Sequence, residues 1–194
     1  MPHITRDSLM TLEAYARARA DMRARVMAHK AVRMVCLGDH VTLIFEDELT
    51  MRYQIQEMLR AEKIFEEAGI QDELDAYNPL VPDGSNWKAT MMIQYSDEAE
   101  RRQRLTELKG IEDCVWVQVD GLERVLAIAD EDMERANEEK TSAVHFLRFE
   151  LTPKMAAAAK SGAHVRMGID LRAYVVEAIE MNAETRASLA SDLV

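Results

Sequence analysis

Residues 45–92 read FEDELTMRYQIQEMLRAEKIFEEAGIQDELDAYNPLVPDGSNWKATMM. The segment opens at the end of a strand-like pattern, and Asp47 is a suitable N-cap for a helix that begins at Glu48. We predict that this central helix covers Glu48–Ala68 and stops at Gly69, because glycine readily adopts the left-handed conformation that ends helices. Apolar residues at helical spacing predict its buried stripe, which is Met51, Ile55, Met58 or Leu59, and Phe65.

A polar stripe runs along the same helix and forms the first part of a candidate ligand-binding site. Arg52, Gln56 and Arg60 follow one another at a spacing of four, which places them on one side of a helix. Their forked donors suit a carboxylate or a phosphate, and Glu57 is placed to neutralise an arginine or to act as a base. The same side chains would equally tie the helix to neighbouring loops through salt bridges, and the sequence leaves both interpretations open.

The polar loop after the helix supplies the second part of this candidate site. A further helical turn is predicted over residues 71–77, and Pro79 then forces the chain out of helical geometry. Residues 82–85 form a turn, and the chain returns as a strand through TMMIQY. The remaining candidate ligand-binding residues are Asn78, Asp83, Asn86, Trp87 and Lys88 from this loop, with His145 from a later strand.

Two of these residues have equally ordinary structural roles. Trp87 is either a core side chain at the start of a strand or the wall of a pocket. Alternation along VHFLRFEL places His145 on one face with Leu147 and Phe149. A histidine on such a face is either a hydrogen-bonded core residue or a neutral imidazole that acts as a ligand or an acid–base group.

The rest of the chain predicts an α+β fold. Gly38-Asp39 and Asp120-Gly121 separate pairs of apolar, alternating segments, which is typical of β-hairpins. Helical patterns precede and interrupt these hairpins, among them residues 4–16, residues 19–31 and a short acidic helix over residues 130–139. We therefore predict a single domain over residues 1–194, with a mostly antiparallel sheet of six to eight strands and helices packed on it.

Composition narrows the class of protein. The 194 residues include 48% hydrophobic and 30% charged residues, so the chain can bury a core. A net charge of -11 disfavours binding to nucleic acid, which requires clustered basic residues. The sequence has neither a secretory signal pattern nor an apolar run long enough for a membrane helix, so we expect a cytoplasmic protein that binds no membrane.

The two cysteines, Cys36 and Cys114, lie in apolar strand-like runs. They are widely separated and form no CxxC pair. We predict that both are reduced and mostly buried.

No catalytic or cofactor motif of stringent spacing occurs in the chain, such as GxGxxG, a P-loop, HExxH or GxSxG. The catalytic residues, the cofactor and the question whether the protein is an enzyme are therefore left unassigned. Three functions remain open: an accessory protein, a small-anion-binding protein or enzyme that uses the central helix and loop, and a metal protein with histidine and carboxylate ligands. A homo-oligomer is also left open.

Four stretches carry a family resemblance: ITRDSLMTLEAY, HVTLIFEDELTMRYQIQEMLR, DELDAYNPLVPDGSNWKATMM and EEKTSAVHFLRFEL. They resemble an uncharacterised bacterial family, domain of unknown function 3501, over nearly the full length. The resemblance implies no established activity or catalytic residue. It does imply a partner system, because the family tends to be encoded beside rubrerythrin-like proteins and iron–sulfur or flavin oxidoreductases. We therefore expect an accessory role in a redox or peroxide-response system.

Overall fold

The computed structural model describes residues 3–129 and 140–194 of the chain. Within these residues the chain forms six α-helices and eight β-strands. In chain order they are α1 Leu12–Val32, β1 Met34–Leu37, β2 Val41–Phe45, α2 Glu48–Ala61, α3 Glu67–Tyr77, β3 Asn86–Ile93, α4 Glu98–Glu107, β4 Val115–Val119, β5 Arg124–Leu126, β6 Val144–Glu150, α5 Pro153–Lys160, β7 Val165–Leu171, β8 Tyr174–Glu180 and α6 Ala183–Ala190. The helix predicted over residues 130–139 lies outside the described residues.

The strands form two antiparallel sheets of four strands each, in the orders β1-β2-β3-β6 and β5-β4-β7-β8. We call these sheet A and sheet B. A bridge between Ile128 and Arg148 connects them through two backbone hydrogen bonds of 2.8 and 2.9 Å. The predicted α+β class and number of strands are confirmed, and the strands are divided between two sheets.

One hydrophobic core lies between the sheets. The inward residues of both sheets belong to it, and α4, α5 and α6 contribute Leu105, Met155 and Leu189. A second cluster joins α2 and α3 to the N-terminal segment, and Phe146 of sheet A packs against it. Phe146 alternates with the inward residues of β6, so α2 and α3 lie against the outer face of sheet A.

Both predicted hairpins are confirmed, since β1 pairs with β2 and β4 pairs with β5. At the first turn Gly38 has a φ of 71°, and a Cβ atom there would lie 2.7 Å from the Tyr174 hydroxyl oxygen. That hydroxyl donates to the Leu37 carbonyl oxygen at 2.9 Å and accepts from the His40 N–H at 3.0 Å. The turn therefore fixes the edge of sheet A to sheet B, and glycine is required there on both conformational and steric grounds.

The predicted helices over residues 4–16 and 19–31 are one continuous helix, α1, preceded by a 3-10 turn at Arg6–Ser8. Thr11 caps α1 by accepting from the Ala14 N–H at 3.2 Å. The helix continues because residues 12–32 contain neither glycine nor proline and are rich in alanine and arginine. Met27 of this helix is 42% exposed.

The central helix is shorter than predicted. It begins as expected at an Asp47 N-cap, with reciprocal 2.9 Å hydrogen bonds between Asp47 and Thr50, but α2 ends at Ala61. Lys63 adopts the left-handed conformation with a φ of 55°, and the Ile64 N–H donates to the Leu59 carbonyl oxygen at 2.9 Å. This is the Schellman arrangement, in which lysine occupies the position that glycine usually takes.

The early end of α2 reverses one core prediction. Leu59 is buried as expected, but Phe65 lies in the connection to α3 with 69% of its surface exposed. A helical period carried past Ala61 placed Phe65 on the buried stripe, and the turn at Lys63 rotates it to solvent.

The predicted burial of the cysteines is wrong for Cys36. Cys36 is exposed because it lies on β1, an edge strand, and points away from the face that carries Val35 and Leu37. Cys114 immediately precedes β4 and is half-buried. Partial burial raises the pKa of its thiol. Both cysteines are free, as predicted.

Candidate functional site

The helices α1 and α2 pack against each other, and a partly open cavity of about 300 Å³ lies along their contact. We call it the interhelical cavity. It combines charged, polar and apolar walls, and its lining residues are Ser8, Met10, Ala18, Asp21, Met22, Arg25, Leu49, Arg52 and Gln56. Two residues of the predicted site, Arg52 and Gln56, therefore line the same cavity.

Arg52 lines this cavity and carries a donor that makes no hydrogen bond. Its Nε atom is buried and has no hydrogen-bond partner, although the side chain as a whole is 29% exposed. Glu48 Oε1 lies 3.4 Å from this nitrogen but does not complete a hydrogen bond to it. Buried donors are nearly always paired in folded proteins, so the unused N–H marks a position that suits an acceptor.

Gln56 holds one wall of the interhelical cavity. Its amide is buried, and Oε1 accepts from the Met10 N–H at 2.6 Å while Nε2 donates to the Met10 carbonyl oxygen at 3.4 Å. Both ends of the amide are therefore engaged with the backbone of the N-terminal segment. The role of Gln56 in the site is to position Met10.

At one end of the contact between α1 and α2, the Glu57 carboxylate accepts hydrogen bonds from two side chains of α1. Arg19 donates to Glu57 through Nε and Nη2, both at 2.7 Å, and the Tyr15 hydroxyl donates to the same carboxylate at 2.5 Å. The hydrogen bonds from Arg19 are the main reason why the pKa of Glu57 falls to about 2. Burial, together with the bond to Glu57, raises the pKa of Tyr15. Glu57 thus joins the two helices and has little basicity near neutral pH.

At the other end, the fully buried Arg33 connects α1 to the C-terminal end of α6. Its guanidinium donates to the Phe45 and Glu46 carbonyl oxygens at 2.8 and 3.1 Å and forks onto Asp192 at 2.5 and 3.3 Å. Burial raises the pKa of Asp192 to about 6, against the opposing effect of Arg33. Arg33 also donates to the Ser188 hydroxyl at 3.1 Å.

Asp47 completes this charged end. Its Oδ2 lies 2.5 Å from His29 Nε2 and 3.6 Å from the Arg33 guanidinium. Burial opposes ionisation of Asp47, but Arg33, the Thr50 N–H and His29 together lower its pKa. A second cavity, of about 200 Å³, lies beside Asp47 and Asp192. The oxygens of both carboxylates are already hydrogen-bonded within the protein, so we assign them a structural role.

The structure places most other residues of the predicted site elsewhere. Arg60 is exposed on α2 and does not line the interhelical cavity. Asn78 holds Ile4, accepting from its N–H at 2.9 Å and donating to its carbonyl oxygen at 3.0 Å. Asp83 accepts from the Ser85 N–H at 2.9 Å and hydroxyl at 2.8 Å, which stabilises the turn.

The strand residues of the predicted set divide between the two faces of sheet A. Asn86 accepts from the Asp83 N–H at 3.2 Å, and Lys88 donates through Nζ to the Pro79 carbonyl oxygen. Trp87 is in the core, where its indole N–H donates to the Leu189 carbonyl oxygen at 3.0 Å. His145 is buried on the inward face, with Nε2 2.9 Å from the Thr141 hydroxyl oxygen.

The family model of DUF3501, described as a protein of unknown function, matches residues 3–193. The chain belongs to this family. A crystal structure described as a novel protein of unknown function from Burkholderia pseudomallei is similar at 57% sequence identity, with a TM-score of 0.95 and 100% of both chains covered. No protein of curated function matches the chain.

The residues that the structure describes contain no group of three or more His, Cys, Asp or Glu side chains placed to hold a metal ion. None of the helices in residues 3–129 and 140–194 is long and apolar enough to cross a membrane. The histidine and carboxylate metal site stays a prediction, which elemental analysis of the purified protein tests.

Sequence reasoning missed the partner helix of the site. Asp21, Met22 and Arg25 of α1 line the interhelical cavity, but the predicted site took residues only from the central helix, the following loop and one later strand. Arg33 and Asp192 were missed because 159 positions separate them in the chain. The one available signal was the continuous helical composition of residues 12–32, which supports a long helix able to pack along α2.

Proposed function

We propose that this protein binds a small anion in the interhelical cavity. The observation that carries the proposal is Arg52, which lines the cavity and whose buried Nε makes no hydrogen bond. Leaving a buried donor unpaired costs about 1–3 kcal/mol, and an anion that accepts from it recovers this cost. The guanidinium is planar and binds carboxylate or phosphate oxygens through two parallel N–H bonds.

Two other buried polar atoms in the described part of the chain lack hydrogen bonds, Glu46 Oε2 and Trp116 Nε1. Glu46 Oε2 lies 3.6 Å from the Lys30 ammonium, much as Arg52 Nε lies 3.4 Å from Glu48 Oε1. Trp116 has the Arg124 guanidinium 3.8 Å above its ring. Of the three, Arg52 is the one that lines the interhelical cavity, and a second guanidinium, Arg25, lines it as well.

A thermal-shift screen with acetate, sulfate and inorganic phosphate tests the proposal. The variant is Arg52→Gln, and the matched control is Arg60→Gln, because Arg60 is an exposed arginine on the same helix outside the cavity. We expect at least one anion to stabilise the wild type and the control, by about 2.7 kcal/mol when the anion is present at about 100 times its Kd. Arg52→Gln should lose this stabilisation.

Two results would contradict the proposal. One is a wild type that no anion stabilises. The other is an Arg52→Gln variant that anions stabilise as strongly as they stabilise the wild type, since ion effects that bypass Arg52 would then explain the shift.

A second candidate function is an accessory protein of a redox or peroxide-response system. The family resemblance motivates it, and the exposed Phe65 favours it. Phe65 borders an apolar cavity of about 310 Å³ whose walls include Leu59, Ile64 and Ile70. Exposed aromatic side chains beside apolar pockets are typical of protein interfaces, where such residues contribute most of the binding energy.

Affinity capture with a rubrerythrin or an iron–sulfur protein encoded beside the gene tests this second candidate. Phe65→Ser should abolish capture, while Leu126→Ser, which alters another exposed apolar side chain on β5, should leave it unchanged. If no complex forms and deletion of the gene produces no redox phenotype, the proposed accessory role is contradicted.

A further inference from the structure

The charges around the interhelical cavity restrict the anion that it can hold. Two guanidinium groups, Arg25 and Arg52, line the cavity with one carboxylate, Asp21. Glu48 lies beside Arg52, so the two positive and two negative charges at the site balance. The whole chain carries a net charge of -11, and its field opposes the entry of multiply charged anions. Among anions, a monoanion is therefore the species that the surrounding charge opposes least.

The walls of the interhelical cavity also present apolar surface. Met10, Met22, Leu49 and Ala18 line it together with the charged groups. Methionine is flexible and polarizable and adapts to ligands of different shape. A hydrated ion such as phosphate would leave these walls without a partner, whereas an aliphatic or aromatic group would cover them.

The cavity size is consistent with a small molecule. At about 300 Å³ it lies at the lower end of the range for ligand pockets, which is roughly 300–1,000 Å³. Ligand pockets are mostly apolar and hold a few polar groups that orient the ligand, and the interhelical cavity has both features.

From the charge, the walls and the size together, we infer that the ligand is a monocarboxylate with a short apolar chain or a single ring. The carboxylate accepts from the Arg52 fork, and the apolar part lies against Met22 and Leu49. This inference rests on the proposed anion-binding function and specifies its ligand class. It involves binding alone and no chemical step.

Titration calorimetry with acetate, butyrate, hexanoate, hexanol and inorganic phosphate tests the inference on the full chain. The affinity should rise about fourfold for each methylene that becomes buried, until the chain fills the cavity. Hexanol and phosphate should bind at least tenfold more weakly than hexanoate. Arg52→Lys keeps the charge but loses the planar fork, and it should weaken all carboxylates alike.

A pair of methionine variants isolates the apolar contribution. Met22→Gln places a polar group in the cavity wall and should flatten the dependence on chain length. Met27→Gln is the matched control, because Met27 is exposed on the same helix and does not line the cavity. The control should retain the wild-type dependence.

The remaining outcomes separate this inference from the proposal on which it rests. Phosphate binding without carboxylate binding, or equal affinity for acetate and hexanoate, overturns the inference and leaves anion binding in place. Equal affinity for hexanol and hexanoate overturns both, because the carboxylate then contributes nothing. Absence of binding by every probe also overturns both.

Discussion

Arg33, at the C-terminal end of α1, and Arg52, on α2, show opposite states of hydrogen bonding. Arg33 is fully buried and donates to three backbone carbonyl oxygens, a serine hydroxyl and an aspartate. Arg52 is 29% exposed, yet its buried Nε donates to nothing. A guanidinium whose donors are hydrogen-bonded within the protein stabilises the fold. A guanidinium in a cavity wall that has an unused donor can still bind a ligand. Comparing the two arginines therefore separates structural residues from candidate binding residues.

The largest expected effect is on the free energy of unfolding, which replacement of the two arginines should lower by very different amounts. Arg33→Met leaves Asp192 buried without its partner and should lower the free energy of unfolding by about 3–5 kcal/mol. Arg52→Met should change it by about 1 kcal/mol or less, because its ion pair with Glu48 is partly exposed. Urea denaturation of both variants measures the difference. Similar losses in the two variants would end the distinction between them.

The apolar residues at the end of α2 provide a second contrast of the same kind. Leu59→Ala should cost about 2–5 kcal/mol, because the side chain is buried in the second cluster. Phe65→Ala should change stability by about 0.5 kcal/mol or less, because Phe65 is exposed. The same urea experiment compares them. A large loss of stability for Phe65→Ala would contradict the exposed position of Phe65.

The Glu57 carboxylate predicts a pH dependence of stability. Its pKa is about 2 in the folded protein, below the ordinary value of 4.5, so the folded state favours the ionised form. The stability from this group is therefore fully present above about pH 5 and is lost as the pH falls towards 2. Glu57→Gln should lose about 1–2 kcal/mol at neutral pH and show a flatter decline between pH 5 and 2. Thermal unfolding at a series of pH values measures both, and a parallel decline in the variant would contradict the assignment.

The smallest effect concerns Lys63, whose φ is 55°. The left-handed conformation costs a residue with a Cβ atom about 1–2 kcal/mol, and glycine avoids most of this cost. Lys63→Gly should therefore stabilise the protein by about 1 kcal/mol, partly offset by the greater freedom of glycine in the unfolded chain. Glu62→Gly, at the preceding position with an ordinary φ of -86°, should destabilise it. Destabilisation by both substitutions would show that Lys63 does not carry this strain.

The sequence predicted the elements whose signals are local. Gly38-Asp39 and Asp120-Gly121 form hairpin turns because the residues in the turn determine its geometry. Asp47 caps α2 because its side chain reaches an N–H three residues away. The end of α2 could not be predicted in the same way, because Lys63 carries no intrinsic preference for the left-handed conformation.

The candidate site was only partly predictable for a related reason. Arg52 and Gln56 were found together because they share one helix, and helical spacing relates them directly. The other wall depends on how α1 packs against α2, and neither helix encodes that contact alone. Asn78, Trp87 and His145 are polar or amphipathic residues of the right kind, but they satisfy their hydrogen bonds within the protein. The sequence shows which functional groups these residues carry, but only the structure shows that their hydrogen bonds are made within the protein.

The most direct test of the account observes the two guanidinium groups themselves. In a proton–nitrogen correlation spectrum, Arg52→Lys and Arg33→Lys assign the two Nε–H signals by their disappearance. Adding hexanoate should shift the Arg52 signal and leave the Arg33 signal in place, because Arg33 Nε already donates to the Phe45 carbonyl oxygen. An Arg52 signal that stays unchanged at saturating hexanoate and phosphate would contradict the central claim that this guanidinium binds an anion.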